Sequence, residues 1–231
     1  MMKLKRWVLA IAPLLAACAA PTVHHGPMPE TPLRAVGNEP GWHVEIGEGQ
    51  LRVVTDYGAR QADHPLPAPQ RIAGGWRYRI DGGPSVTLHE RLCHDNMTGM
   101  PYPMVARLDE GERTLHGCAG DPHILLQGEW EVTELDGAAL LDDSRITLHF
   151  DGERVSGLAT CNRYFAAYHL SGEGLTLQPA ASTLMMCIDA AQMAQERRFL
   201  DQLGEIRHFD IDAQGALRLI TPDSDIRAQR P

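Results

Sequence analysis

After Lys5 the sequence contains no lysine, and every later basic residue is an arginine. That absence reads as composition bias. The enzymatic signatures are also missing. No C-x-x-C is present, which argues against dithiol exchange chemistry. No G-x-S-x-G elbow, H-E-x-x-H pair, phosphate loop or dinucleotide fingerprint occurs. Gly47-x-Gly49 and Gly172-x-Gly174 lack a third glycine and read as hairpin turns. The apolar run Trp7 to Leu15 is too short to span a bilayer as a permanent helix. These absences predict no catalytic set, no metal set and no cofactor.

What that short run does suit is a leader. Lys3, Lys5 and Arg6 precede it, and Leu15-Ala16-Ala17-Cys18 ends it as a lipobox, so residues 1–17 are expected to be removed. Cys18 is then the lipidation site, carrying the acyl (palmitate-type) anchor. An ordinary secretory signal with an incidental cysteine is the plainer alternative. Ala19 rather than Asp follows, which predicts the outer membrane, facing the periplasm. Residues 18–33 form a proline-rich tether reaching on the order of 40 Å at about 3.1 Å per residue. Its His24-His25 pair reads as part of a solvated tail.

Processing removes three of the 21 basic residues, which leaves 18 arginines against 30 acids, a net charge of −12. That balance argues against nucleic acid or anionic lipid as the main partner. Of five cysteines, lipidation of Cys18 leaves Cys93, Cys118, Cys161 and Cys187. Four cysteines allow three pairings. Domain order favours Cys93–Cys118 and Cys161–Cys187, each closing a loop of about 26 residues and contributing about 3–4 kcal/mol on the chain-entropy model.

Along the chain, apolar and polar residues alternate at period two, with turn residues between the runs. The first unit, 34–121, contains strands around His43–Ile46, Leu51–Thr55, Gly75–Ile80, Val86–Glu90, Val105–Leu108 and Thr114–Cys118. Gly58–Pro69 and Cys93–Pro103 read as loops. The second unit, 124–228, contains strands around Gly128–Leu135, Ile146–Phe150, Arg154–Thr160, Phe165–Leu170, Leu175–Leu177, His208–Ile211 and Leu217–Ile220. Asp189 caps a helix through about Leu203, with Met193, Phe199, Leu200 and Leu203 on one face and Gly204 as its stop. The fold class is mainly β with one helix, in two small antiparallel β domains. Trp42, Trp76 and Trp130 read as core, and Met185, Met186 and Met193 as gap-filling core.

The stretch Thr160-Cys161-Asn162-Arg163-Tyr164, with Ser156-Gly157 before it and Tyr168 after, resembles the META domain, the family of the heat-shock lipoprotein HslJ. Ser182-Thr183-Leu184-Met185-Met186-Cys187 and the helix behind it complete that likeness over about Leu125 to Arg227. It implies a META-type sheet with one packed helix, and an association with heat and antibiotic stress. Gly37-Asn38-Glu39-Pro40-Gly41-Trp42, the run Cys93-His94-Asp95-Asn96-Met97-Thr98-Gly99-Met100-Pro101-Tyr102-Pro103 and Gly117-Cys118-Ala119 are similar to an uncharacterised family of bacterial envelope domains. Neither resemblance implies an activity.

The expected function is a non-catalytic binding or stress-protective envelope module, attached to the membrane through its lipid and meeting an envelope protein. The alternative is an inhibitor of a lytic enzyme such as a lysozyme or a protease, presented by the loop Thr98–Tyr102. Candidate binding residues are Asn162, Arg163 and Tyr164, then Asp95, Thr98 and Tyr102. The bland reading of the first three has Asn162 bonding local backbone while Arg163 lies over Tyr164 or Tyr168. His94-Asp95 and Asp121-x-His123 are the best acid/base pairs, and chance proximity explains them better than catalysis.

Overall fold

The computed structural model describes residues 32–231. The leader, Cys18 and the tether histidines His24 and His25 lie outside the described residues. Two large antiparallel sheets and one long helix make up the described chain, with a two-residue ladder between Cys93–His94 and Pro101–Tyr102.

Across the first sheet the strands run 60–65, 50–55, 41–47, 33–38, 113–119, 104–110, 85–89, 75–79 and 70–72. The first and last long strands of this unit pair at its centre, Ala35 opposite Ala119 and Val36 opposite Cys118. Alternation places Val44, Ile46, Leu51 and Val53 in the core. Trp42 is buried as expected, whereas Trp76 is only partly so, with the Arg71 guanidinium 4.3 Å above its ring. The Trp42 indole lies against the backbone. A Cβ on Gly37 would sit 2.2 Å from its Nε1, and a Cβ on Gly117 would sit 1.9 Å from the Val36 carbonyl oxygen. Trp42 Nε1–H donates to the His116 carbonyl at 3.3 Å.

Two expectations for this unit are corrected. The expected loop Gly58–Pro69 contains a strand, Arg60–Pro65, paired with Gln50–Thr55. The expected breaker-rich loop contains the short ladder between Cys93–His94 and Pro101–Tyr102. Arg60–Pro65 is an edge strand whose residues are almost all exposed, so no buried face wrote period two into its sequence.

The second sheet runs 174–177, 163–171, 154–158, 147–151, 128–135, 225–229, 217–220 and 208–211. Its outer strands come together: the Leu175 N–H donates to the Arg207 carbonyl at 2.8 Å. Gly174 permits the approach, because a Cβ there would meet the Arg207 oxygen at 2.3 Å. The helix Ala190–Glu205 buries Phe199, Gln202 and Leu203, and Asp189 caps it by accepting from the Gln192 N–H at 2.8 Å. Gly204 is inside this helix rather than its stop. Met185, Met186 and Met193 are exposed rather than core. The strand Asp225–Gln229 sits between Gly128–Leu135 and Leu217–Ile220, where no strand was expected.

Two clusters of buried side chains form the two cores. Met100, from the disulfide loop of the first unit, belongs to the second cluster and is 1% exposed. Near it, His94 Nε2 lies 2.7 Å from Asp210 Oδ1. The loop of the first unit thus plugs and pins the second.

Candidate functional site

Asn162 follows directly on Thr160, whose φ is +91°, and Cys161, whose disulfide to Cys187 has a Cα–Cα distance of 5.7 Å. This reversal turns the Asn162 side chain inward, where it is 3% exposed. Asn162 Oδ1 accepts from Thr183 Oγ1–H at 2.6 Å and from the Met185 N–H at 2.7 Å. Its Nδ2 donates to the Met185 carbonyl at 3.0 Å and to Glu196 Oε1 at 2.6 Å. The other Glu196 oxygen accepts the N–H groups of Cys161 and Asn162 at 2.9 and 2.8 Å. One amide and one carboxylate therefore join the Cys161 turn, the Thr183–Met185 segment and the helix.

Tyr164 is buried beside this knot. Its hydroxyl donates to the Thr147 carbonyl at 2.9 Å, and its ring meets Phe199 edge-on at 5.3 Å. Burial pushes its phenol far above the usual range. Arg163 faces solvent and has no ion-pair partner among the described residues. It lies over neither Tyr164 nor Tyr168; the second stacked arginine is Arg230, 4.0 Å over Trp130. Of the first three candidates, only Arg163 offers its side chain to a partner. The bonding of Asn162 also differs from expectation, since it reaches 23 and 34 residues along the chain rather than its own turn.

In the first unit the two sequence motifs meet. Asn38 Nδ2 donates to Asp95 Oδ2 at 2.8 Å and to Asn96 Oδ1 at 2.6 Å. Asp95 Oδ1 accepts from the Met97 N–H, the Thr98 N–H and Thr98 Oγ1–H at 2.9, 2.8 and 3.1 Å. Burial alone would raise the Asp95 carboxyl, but donors from Thr98, Asn38 and Met97 outweigh it and hold the carboxyl below its ordinary value. The Cys93–Cys118 disulfide closes the same corner, with a Cα–Cα distance of 5.5 Å. Asp95 and Thr98 hold the loop, and His94 points away from them to Asp210. The Asp121–His123 pair is local, with Asp121 Oδ1 accepting from both the His123 backbone N–H and its ring at 2.9 and 2.8 Å.

Tyr102 behaves differently. It packs against the second core and also lines a cleft of about 870 Å³ at the junction of the two units, with Leu33, Arg34, Met104, Asp121 and Ile124. Its phenol is raised by burial first and by the Asp95 charge second. Arg34 has no ion-pair partner among the described residues. Sequence reasoning missed the cleft because its walls are contributed by segments far apart in the chain; Tyr102 and Asp121 stood out beforehand, but for other reasons.

Residues 123–230 match the family model of the META domain. No curated protein matches the chain. Two solved structures are similar to about half of it. One is an NMR structure of a protein from Burkholderia xenovorans, 22% identical, covering 47% of this chain and 86% of that one with a TM-score of 0.40. The other is a second NMR structure, 23% identical, covering 48% of this chain and 94% of that one, also with a TM-score of 0.40.

Proposed function

We propose that this protein, with a META match over residues 123–230, is a lipid-anchored envelope module that acts by binding a partner rather than by turnover, in a stress response. The observation that carries this reading is how the reactive side chains are used. Asp95, His94, Asn162, Glu196 and Tyr164 are each committed to intramolecular bonds, and no two of them converge on an open space. The junction cleft, in contrast, sets Leu33, Met104 and Ile124 beside three charged side chains. Glu90 is paired with Arg71 and Asp121 is bonded to His123, which leaves Arg34 as the charge without an ion pair among the described residues. Such a groove suits a ligand with an apolar body and one anionic group, which Arg34 would pair in a charge-assisted contact.

The inhibitor alternative draws less support. Met100 and Pro101 are buried and Tyr102 is half-buried, so the loop that would enter a lytic enzyme is mostly turned toward its own chain.

Anchoring and binding have separate tests. Globomycin should leave an unprocessed precursor, and a soluble, lipid-free product in untreated cells would refute the anchor. Envelope extract passed over the immobilised chain should yield a partner whose recovery falls about tenfold with Arg34→Glu. Ile124→Asp should do the same, and both variants should keep the wild-type melting temperature. Undiminished recovery would move the site away from the cleft. Capture of lysozyme would favour the inhibitor. Hydrolysis of peptidoglycan or peptides by the purified chain, lost on His94→Ala, would overturn the non-enzymatic reading.

A further inference from the structure

The segment Leu184–Ile188 is built against the usual order of side chains. Leu184 is 98% exposed, Met186 86% and Ile188 100%, with Met185 half out between them. Contiguous exposed apolar residues of this kind mark an interaction surface. The segment is nonetheless held at three points: Cys187 by its disulfide, Met185 by both backbone bonds to Asn162, and Asp189 as the helix cap. It is a fixed projection, not a groove.

Its surroundings extend the patch and give it a charge. Phe165, 55% exposed, shares the outward face of strand Arg163–Ser171 with Arg163 and pairs with Ala181. Met193 and Arg197 are four residues apart on one helix face. Gln195 points to the other side, toward Ser144 and Thr160. Arg163 and Arg197 have no ion-pair partner among the described residues. Asp189 and Glu196, at the foot of the projection, are taken up by the Gln192 N–H and by Asn162 and the Cys161 N–H, so Arg163 and Arg197 are the charges there that remain open to a partner.

We infer that Leu184–Ile188 is a membrane-contacting tip whose apolar side chains enter the boundary between headgroups and acyl chains of an anionic bilayer, with Arg163 and Arg197 at the phosphates. A protein hot spot is normally a central pocket closed by a rim. Side chains almost free of neighbours suit a fluid surface that closes around them. Methionines adapt to such a surface at low cost. The inference rests on the anchored reading for its setting, since a lipid at Cys18 and the tether after it keep the second unit within reach of one leaflet.

The test removes the lipid, so that the tip acts alone. Residues 19–231 are floated with vesicles of phosphatidylethanolamine and phosphatidylglycerol, and in parallel with phosphatidylcholine vesicles. The wild-type chain should float with the anionic vesicles. The double variant Leu184→Asp, Ile188→Asp should lower the bound fraction about tenfold with no change in melting temperature, since neither side chain is packed. Arg163→Ala with Arg197→Ala should weaken binding to the anionic vesicles several-fold and leave phosphatidylcholine binding as it was. No flotation, or flotation unaffected by the aspartates, overturns the inference while leaving globomycin sensitivity to decide the anchor independently. A dimer in sedimentation velocity that disappears in the aspartate variant would instead assign the tip to a second copy of the chain.

Discussion

Asn162→Ala is expected to lower the stability of the folded chain by about 4 kcal/mol, or about 10 °C in melting temperature, with both disulfides intact. The asparagine is 3% exposed and uses both amide hydrogens and its carbonyl oxygen. Alanine would strand Thr183 Oγ1, the Met185 N–H and carbonyl, and one Glu196 oxygen. A buried group left without its partner costs about 1–3 kcal/mol, and partial access of water brings the sum toward the lower end. Asn162→Asp should be worse, because it removes the donor and sets a second carboxylate against Glu196. Arg163→Ala is the control, expected within about 0.5 kcal/mol as an exposed side chain without an ion pair. Urea denaturation monitored by circular dichroism measures all three. A cost below about 1 kcal/mol for Asn162→Ala would mean that the disulfide alone positions the Thr183–Met185 segment.

Met100→Ala should cost about 3 kcal/mol, and the loss should appear in the second unit, not the one that contains residue 100. The thioether is 1% exposed within the cluster that includes Trp130, Phe150 and Tyr168. Truncation leaves a cavity there that neighbouring side chains fill only in part. Hydrogen exchange followed by mass spectrometry should show reduced protection in peptides from 128–177 before those from 41–55. Residues 124–231 expressed alone should fold, with a stability deficit similar to that of the variant. Loss of protection confined to 41–55 would show that the plug contributes nothing across the junction.

The half-buried strands were legible because a buried face writes period two into the sequence. Val44 and Ile46, or Leu148 and Phe150, alternate with exposed neighbours. Arg60–Pro65 and Asp225–Gln229 were not legible, for opposite reasons. The first has no buried face, and the second is a central strand with only Ile226 and Ala228 to announce it. The helix was placed by its cap, but its buried face was misjudged because Met193 fits the period and yet faces solvent. Methionines beside Cys187 were expected inside on hydrophobicity alone, but the Met185 backbone is bonded to Asn162 and both side chains are exposed. The cysteine pairs followed from domain order. The Asn38–Asp95 and Asn162–Glu196 contacts did not, since polar pairs 57 and 34 residues apart leave no periodic trace.

The meeting of the outer strands at Leu175 and Arg207 bears on how the sheet would meet unfolded chains. An open sheet ends in a row of unpaired amide and carbonyl groups, which can template the strands of unfolding neighbours. Here Gly174–Leu177 turns at least one of its amides back into its own sheet. The first sheet keeps two margins: Arg60–Pro65, mostly polar and ending in a proline that cannot donate a hydrogen bond, and Gln70–Ile72, only three residues long. At their sheet margins, both units therefore offer poor seeds for cross-β growth.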